Sequence, residues 1–508
     1  MKRLLTLGVL LPCSLLTFTQ FYEFKSKTKY IPCNKRSFLA FLFSLCFSIL
    51  YAGPVTQQQA FEKAQRFMKS KKIKDDYKTN RARGKNAFQK NEPFYLFNTE
   101  DNQGFVIVSG DDRTEEILGY SDHGNIDLDN IPDNMKALFD IYRKEIKSLE
   151  NKSNTNNVVR PTRDAVAPII KTQWGQRYPY NLMCPEISGQ HAVTGCGPTA
   201  IAQVLYHYKW PKIENPPLDG YGFVSEFPAT TFNWEEIRYD YKNGNFTESE
   251  AMAVAELMRY VGQKLLVDYG LNGTALWWDW LTGGITTIKC KDNKVLPLFM
   301  DFDYNPNMVG IRRSYTTRSY WEDVIYNEVY EGRPVLITAG ITSGAHDFVC
   351  DGYDGNGYFH LNWGWDGIND GYYLLTTIDL YEPDLSNDGN QISTHNQFAY
   401  IGIRPSKEDD TYNYTILDIL RGRGYPRVKN YNRNTTSLFF ENVNFNMFFI
   451  NFSDFLFDGD LGVGLFKDGC EISNIDRILW TESITINSFD VIEKNYEMDF
   501  DADIPSGS

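Results

Sequence analysis

Cys196 stands in TGCGPTAIAQVLYHY, where Ile201, Val204, Leu205 and Tyr208 recur at helical spacing and mark an amphipathic helix with one apolar stripe. Thr194 is placed to cap that helix and Pro198 belongs in its first turn, so the pattern predicts the sulfur at the helix start. Unpaired N–H groups and the positive end of the helix dipole lie there and favour thiolate over thiol. Far downstream, AHDFVCDGYDGNGYFHLNWGW reads as a β-hairpin turning through Tyr353-Asp354-Gly355, with the glycine in the left-handed position of a three-residue loop. A turn centred on Asp354 sets His346 directly opposite Asn362, on the same face of neighbouring strands. An amide that accepts one imidazole N–H leaves the other ring nitrogen for a nucleophile. A thiol, an imidazole and an amide so assembled can carry out acyl transfer.

Other constellations fail. The chain has no HExxH, no CxxC paired with histidines and no GxSxG, so neither a zinc site nor an α/β-hydrolase site is supported, and no cofactor or metal is expected. His191 lies five residues before Cys196 on the same local segment, a poor position from which to face a sulfur at a helix tip. His360 shares a strand face with Asn362 and reads as a packed core histidine. The Asp-rich runs 351–356 and 366–370 lack the spacing of a calcium loop and read as hairpin turns. Trp277, Trp278 and Trp280 could line an apolar pocket or fill a core, and both readings stay open.

The TGC-x-x-TA-x-AQ run from Thr194 to Gln203, the H-x-FV-x-DGYDG block from His346 and NWGW at Asn362 to Trp365 resemble the streptopain family of secreted bacterial cysteine peptidases, in the papain superfamily. The resemblance extends from about Pro54 to Pro405. It implies an α+β, papain-like peptidase domain, with Cys196 as nucleophile, His346 as general base and acid, Asn362 as orienter of the ring and Trp363 as a lid over that hydrogen bond. It also implies an oxyanion-hole glutamine, matched by Gln176 ahead of Tyr178-Pro179-Tyr180-Asn181, with Gln190 a rival six residues before the cysteine. Two departures stand out. Asp347 replaces a usually small or apolar residue after the histidine, and Asp366 interrupts the usual glycine-rich turn after the second tryptophan.

The elements that must position these residues divide the 508-residue chain into four stretches. Residues 1–52 form a leader with apolar runs at Leu4 to Thr19 and Ser37 to Tyr51, each short of a spanning helix; the second, behind Lys35-Arg36, reads as a signal peptide. Residues 53–165 read as a small α+β unit: a helix capped by Thr56 and Gln59, strands at 94–97 and 104–108, and a helix after Pro132 with Met135, Leu138, Phe139, Tyr142, Ile146 and Leu149 on one side. Family resemblance makes this an inhibitory pro-domain, so the chain's own pro-domain is an expected partner beside protein or peptide substrates. Residues 166–405 are the peptidase domain, and 406–508 a β-sandwich-like accessory domain with strands at 437–450 and 461–466 and turns at Asp458-Gly459 and Asp468-Gly469.

A formal net charge of −14 offers no basic surface to displace counterions, which argues against nucleic acid. Membrane contact is expected only through the leader, and a secreted, cell-surface or periplasmic location follows. Of eight cysteines, three lie in the leader, leaving an odd five and hence at least one free thiol. Two other classes share the same residues: a transglutaminase-like or amidase enzyme, and a binding protein built on an inactive scaffold.

Overall fold

The computed structural model describes residues 53–69, 71–74, 92–101, 103–127, 131–149, 160–276, 295–313, 318–341, 344–377, 397–408 and 410, and then 417–419, 430–433, 440–451, 457–465, 477–487 and 491–500. Residues 1–53 and 54–508 form two units, and every element below lies in the second. The three tryptophans at 277–280, Cys290 and Cys470, the Asp468-Gly469 turn and the leader fall outside the described residues.

Helix α1 (Gln57–Met68) starts where expected: Thr56 and Gln59 close a reciprocal capping box, and Ala60, Phe61, Ala64 and Met68 are buried. Strands β1 (Phe94–Asn98), β2 (Phe105–Ser109) and β3 (Ile117–Ser121) follow, then α2 (Asp133–Ser148). The short hairpin β4 (Glu186–Ile187) and β5 (Gln190–His191) precedes α3 (Cys196–Tyr208), and a Thr247/Glu250 capping box opens α4 (Glu248–Lys264). Then come α5 (Val295–Asp301), β6 (Val309–Arg312), α6 (Arg318–Tyr330), β7 (Val335–Ile341), β8 (Gly344–Tyr353), β9 (Phe359–Asn362), β10 (Gly371–Tyr373) and β11 (Gln397–Ile401).

One nine-stranded sheet joins the strands of residues 94–121 to those of residues 309–401, in the order β1-β2-β3-β10-β9-β8-β7-β11-β6, with antiparallel neighbours throughout. The seam is β3 against β10, where Tyr120 pairs with Tyr372 and Gly119 with Tyr373. A Cβ on Gly119 would come within 2.5 Å of the Tyr373 ring, so only glycine permits this approach. Alternation along the central strands builds two cores. Val335, Ile337, Ala339, Phe348 and Cys350 face a core shared with α1, α2 and α6, whereas Leu336 and Val349 face the core of α3, α4 and α5.

In the C-terminal stretch β14 (Phe440–Asn451) pairs with β12 (Leu417–Ile419), β13 (Asn430–Arg433) and β17 (Val491–Phe500), and β15 (Phe457–Leu465) pairs separately with β16 (Arg477–Ile486). The turn expected at Asp458-Gly459 is instead strand: these residues pair with Thr485 and Ile484.

Candidate active site

Helix α3 begins at Cys196 itself. Its N-cap is Gly195 at φ +90°, a backbone that favours glycine, and not Thr194, whose side chain turns inward to the Thr199 hydroxyl at 2.8 Å. Thr199 in turn donates to the Gly195 carbonyl at 2.8 Å, so the first turn is held by threonines beneath the cysteine. Gln176 reaches the same place through its backbone, its carbonyl accepting from the Thr194 N–H at 3.1 Å. Asp366, at φ +54°, packs its carboxylate where a Cβ on Gly175 would lie and donates its N–H to the Trp174 carbonyl at 2.9 Å. The departure at Asp366 therefore helps seat Gln176. Gln190 is exposed on the β4-β5 hairpin, paired with Ile187. His191 is turned away from the sulfur, its Nδ1 2.8 Å from the Cys184 carbonyl and its Nε2 3.8 Å from Glu186.

The β8-β9 hairpin departs from expectation. Tyr353 pairs with Phe359 across a five-residue loop, Asp354 to Tyr358, and the register shifts between Cys350 and Gly352. The extra residue is Asp351, whose carboxylate accepts from the Ile170 N–H at 2.8 Å and meets His360 Nδ1 at 2.6 Å. His360 is thus a buried ion-pair partner, its pKa raised by Asp351 against the effect of burial. As a result Asn362 stands opposite Val349, not opposite His346.

That register puts the histidine and the thiol on different faces of β8. Asp347 shares the Val349 face toward α3, and its Oδ2 lies 2.9 Å from where a Cβ on Gly197 would sit. His346 shares the Phe348 face toward α2, where burial lowers its pKa, Asp133 partly offsets that effect and Lys136 adds to it. Among the described residues no hydrogen bond links Cys196 to His346. Asn362 is held otherwise: its amide donates to the Thr172 carbonyl at 2.8 Å, and its oxygen accepts from Gln203 at 3.1 Å and from the Gly364 N–H at 3.0 Å. Trp363 is buried beside Phe348 and Tyr373, with ring centroids 5.0 and 5.2 Å away, on the face of His346 and so not over Asn362.

The clamp on this strand comes from α2. Asn134, buried in its first turn, donates to the carbonyls of Asp347 at 2.6 Å and Trp363 at 2.9 Å and accepts from the Trp365 indole at 2.9 Å. Sequence reasoning did not single it out; a polar side chain behind Pro132-Asp133, at the start of an otherwise apolar helix, was the available signal. Farther along α2, buried Glu145 accepts from Thr376 and Thr377, three bonds of 2.7 Å each. The thiol is not activated in this arrangement. Burial first, and the Asp347 carboxylate second, push Cys196 up to about 12, outweighing the backbone N–H groups that favour thiolate.

The peptidase C10 profile matches residues 174–373, and the Spi protease inhibitor profile matches residues 52–146. Streptopain of Streptococcus pyogenes is 32% identical over 348 residues, which cover 61% of this chain and 80% of streptopain. The chain belongs to the peptidase C10 family. The thiol protease/hemagglutinin PrtT of Porphyromonas gingivalis is 31% identical over 395 residues, 72% of this peptidase, which spans 44% of that protein's length. A fragment of prointerpain A from Prevotella intermedia superposes with a TM-score of 0.51 at 27% identity, covering 63% of the peptidase and 98% of the fragment. The peptidase is therefore a papain-like cysteine endopeptidase made as a zymogen, with a Spi-type inhibitor region ahead of it. Among the described residues no helix is long and apolar enough to cross a membrane.

Proposed function

We propose that Cys196 is the nucleophile of this endopeptidase, His346 its general base and acid, and Asn362 the amide that orients the ring once His346 reaches the α3 face of β8. The reading is supported by one juxtaposition: the cysteine opens α3 directly beneath the strand that carries the histidine, and α2 of the pro-unit grips that strand one residue farther on. The described arrangement is the latent one. Release of α2 frees the Asp347 carbonyl, and rotation of the strand end exchanges the faces of residues 346 and 347, because adjacent strand residues point to opposite sides.

In the competent arrangement the Cys196 thiolate attacks a peptide carbonyl, and the Gln176 amide and the Cys196 N–H stabilise the oxyanion. His346 then protonates the leaving amine and activates water for deacylation. Protein or peptide is the substrate, the pro-unit is the intramolecular inhibitor, and the leader directs export. Replacing Cys196 by Ala tests the reading: the full-length precursor accumulates and casein stays intact. Normal processing of the purified variant in isolation contradicts autocatalytic maturation.

A further inference from the structure

Asp347 has no counterpart in the chemistry just described, yet it lies closer to the nucleophile's helix than His346 does. It is buried, its Oδ1 accepts from the Thr338 hydroxyl at 2.5 Å, its Oδ2 caps the space over Gly197, and its carbonyl is held by Asn134. Thr338 on β7, Cys196 and Gly197 on α3 and Asn134 on α2 surround it. Of these only Cys196 titrates; His346, Asp133 and Lys136 belong to the opposite face. A small apolar residue here would leave the α3 face of β8 vacant for the imidazole. An aspartate fills it.

We propose that Asp347 is a positioning residue of the zymogen: it occupies the face His346 must take, keeps the Cys196 thiol protonated, and couples the exchange of the two side chains to release of its own proton. The proposal rests on the assignment of Cys196 and His346 above. Only proton movement is involved: below about pH 7 the carboxyl buried against α3 is neutral, and it turns into water and loses its proton to solvent as the imidazole arrives; above that pH it is already ionised and opposes the Cys196 thiolate. Burial lifts this carboxyl from 3.8 to about 7, so the buried arrangement binds a proton that the turned-out one releases. The latent arrangement is therefore fully favoured at low pH, loses ground about tenfold per pH unit as pH rises between roughly 4 and 7, and loses no more above that.

The test follows the appearance of activity in freshly reduced full-length chain from pH 5 to 8, divided at each pH by the activity of the fully processed enzyme of the same variant. The wild-type ratio rises at least tenfold between pH 5 and 7 and then levels, whereas Asp347→Asn and Asp347→Ala are flat to within about twofold. A flat wild-type ratio, or a rise retained in both variants, overturns the proposal; if Asp347→Ala does not fold, the near-isosteric Asp347→Asn decides alone. A wild-type chain that never gains Cys196-dependent activity refutes the peptidase assignment instead. Alkylation of Cys196 by iodoacetamide at pH 8, read by peptide mass in chains carrying His346→Ala, then judges Asp347 separately. Labelling about tenfold faster with Asp347→Asn supports the proposal, and equal rates refute it.

Discussion

Cys196 owes its place to residues that do no chemistry. Gly195 supplies the left-handed entry into α3, Thr199 locks the first turn, and the Thr194 N–H fastens Gln176 beside it. The cysteine at the helix start was legible because apolar spacing and Pro198 fix the helix phase; the cap was not, because the Thr194 hydroxyl has a closer partner in Thr199. The depressed thiol pKa expected from the helix dipole is absent in the latent form, where desolvation and Asp347 prevail. At this scale Gln176→Ala should lower kcat by roughly 100-fold or more, since one oxyanion donor is worth about 3 kcal/mol, with the melting temperature of the processed enzyme unchanged. The exposed Gln190, replaced by Ala, should leave kcat within about twofold; steady-state kinetics on a peptide substrate distinguishes the two.

Among the elements, the β8-β9 hairpin decides what meets the thiol. Two strands and a glycine turn were legible from alternation and from DGNG, but their register was not. The bulge at Asp351 exists because its carboxylate is drawn to Ile170 and His360, a tertiary contact with no local signature. The five-residue loop recentres the hairpin two residues later and would set Asn362 opposite Cys350; the extra residue at Asp351 then moves it to Val349. The clamp on β8 belongs to α2, whose apolar face was legible while its polar first turn was passed over. Asn134→Ala removes three hydrogen bonds to the 347–365 region at about 1 kcal/mol each, and so should speed conversion of the precursor about tenfold or more at fixed pH. Quantitative gels of precursor against time measure it, and a rate equal to that of the parent chain would mean that Asn134 does not restrain β8.

Over the whole molecule, pro-unit and peptidase share a sheet, not merely a surface. The sequence separated the two stretches by composition, and capping boxes at Thr56 and Thr247 marked helices that form as expected. It did not disclose β3, a short strand whose glycine and serine give no alternating apolar signal, and β3 is the strand that joins them. Departure of residues 94–121 must open the edge of β10, so the amide hydrogens of Tyr372 and Leu374, which point to β3, should exchange markedly faster in the processed enzyme than in the precursor. Unchanged protection would mean that these strands stay behind after processing.

The central claim is that the nucleophile and its base lie on opposite faces of one strand until the pro-unit leaves. A crystal structure of the processed enzyme measures this directly through the separation of the Cys196 sulfur and the His346 ring. The account predicts the ring within about 3–4 Å of the sulfur, with Asp347 turned out toward the face vacated by α2. An active processed enzyme in which His346 still faces away, with Asp347 over Gly197, would contradict it.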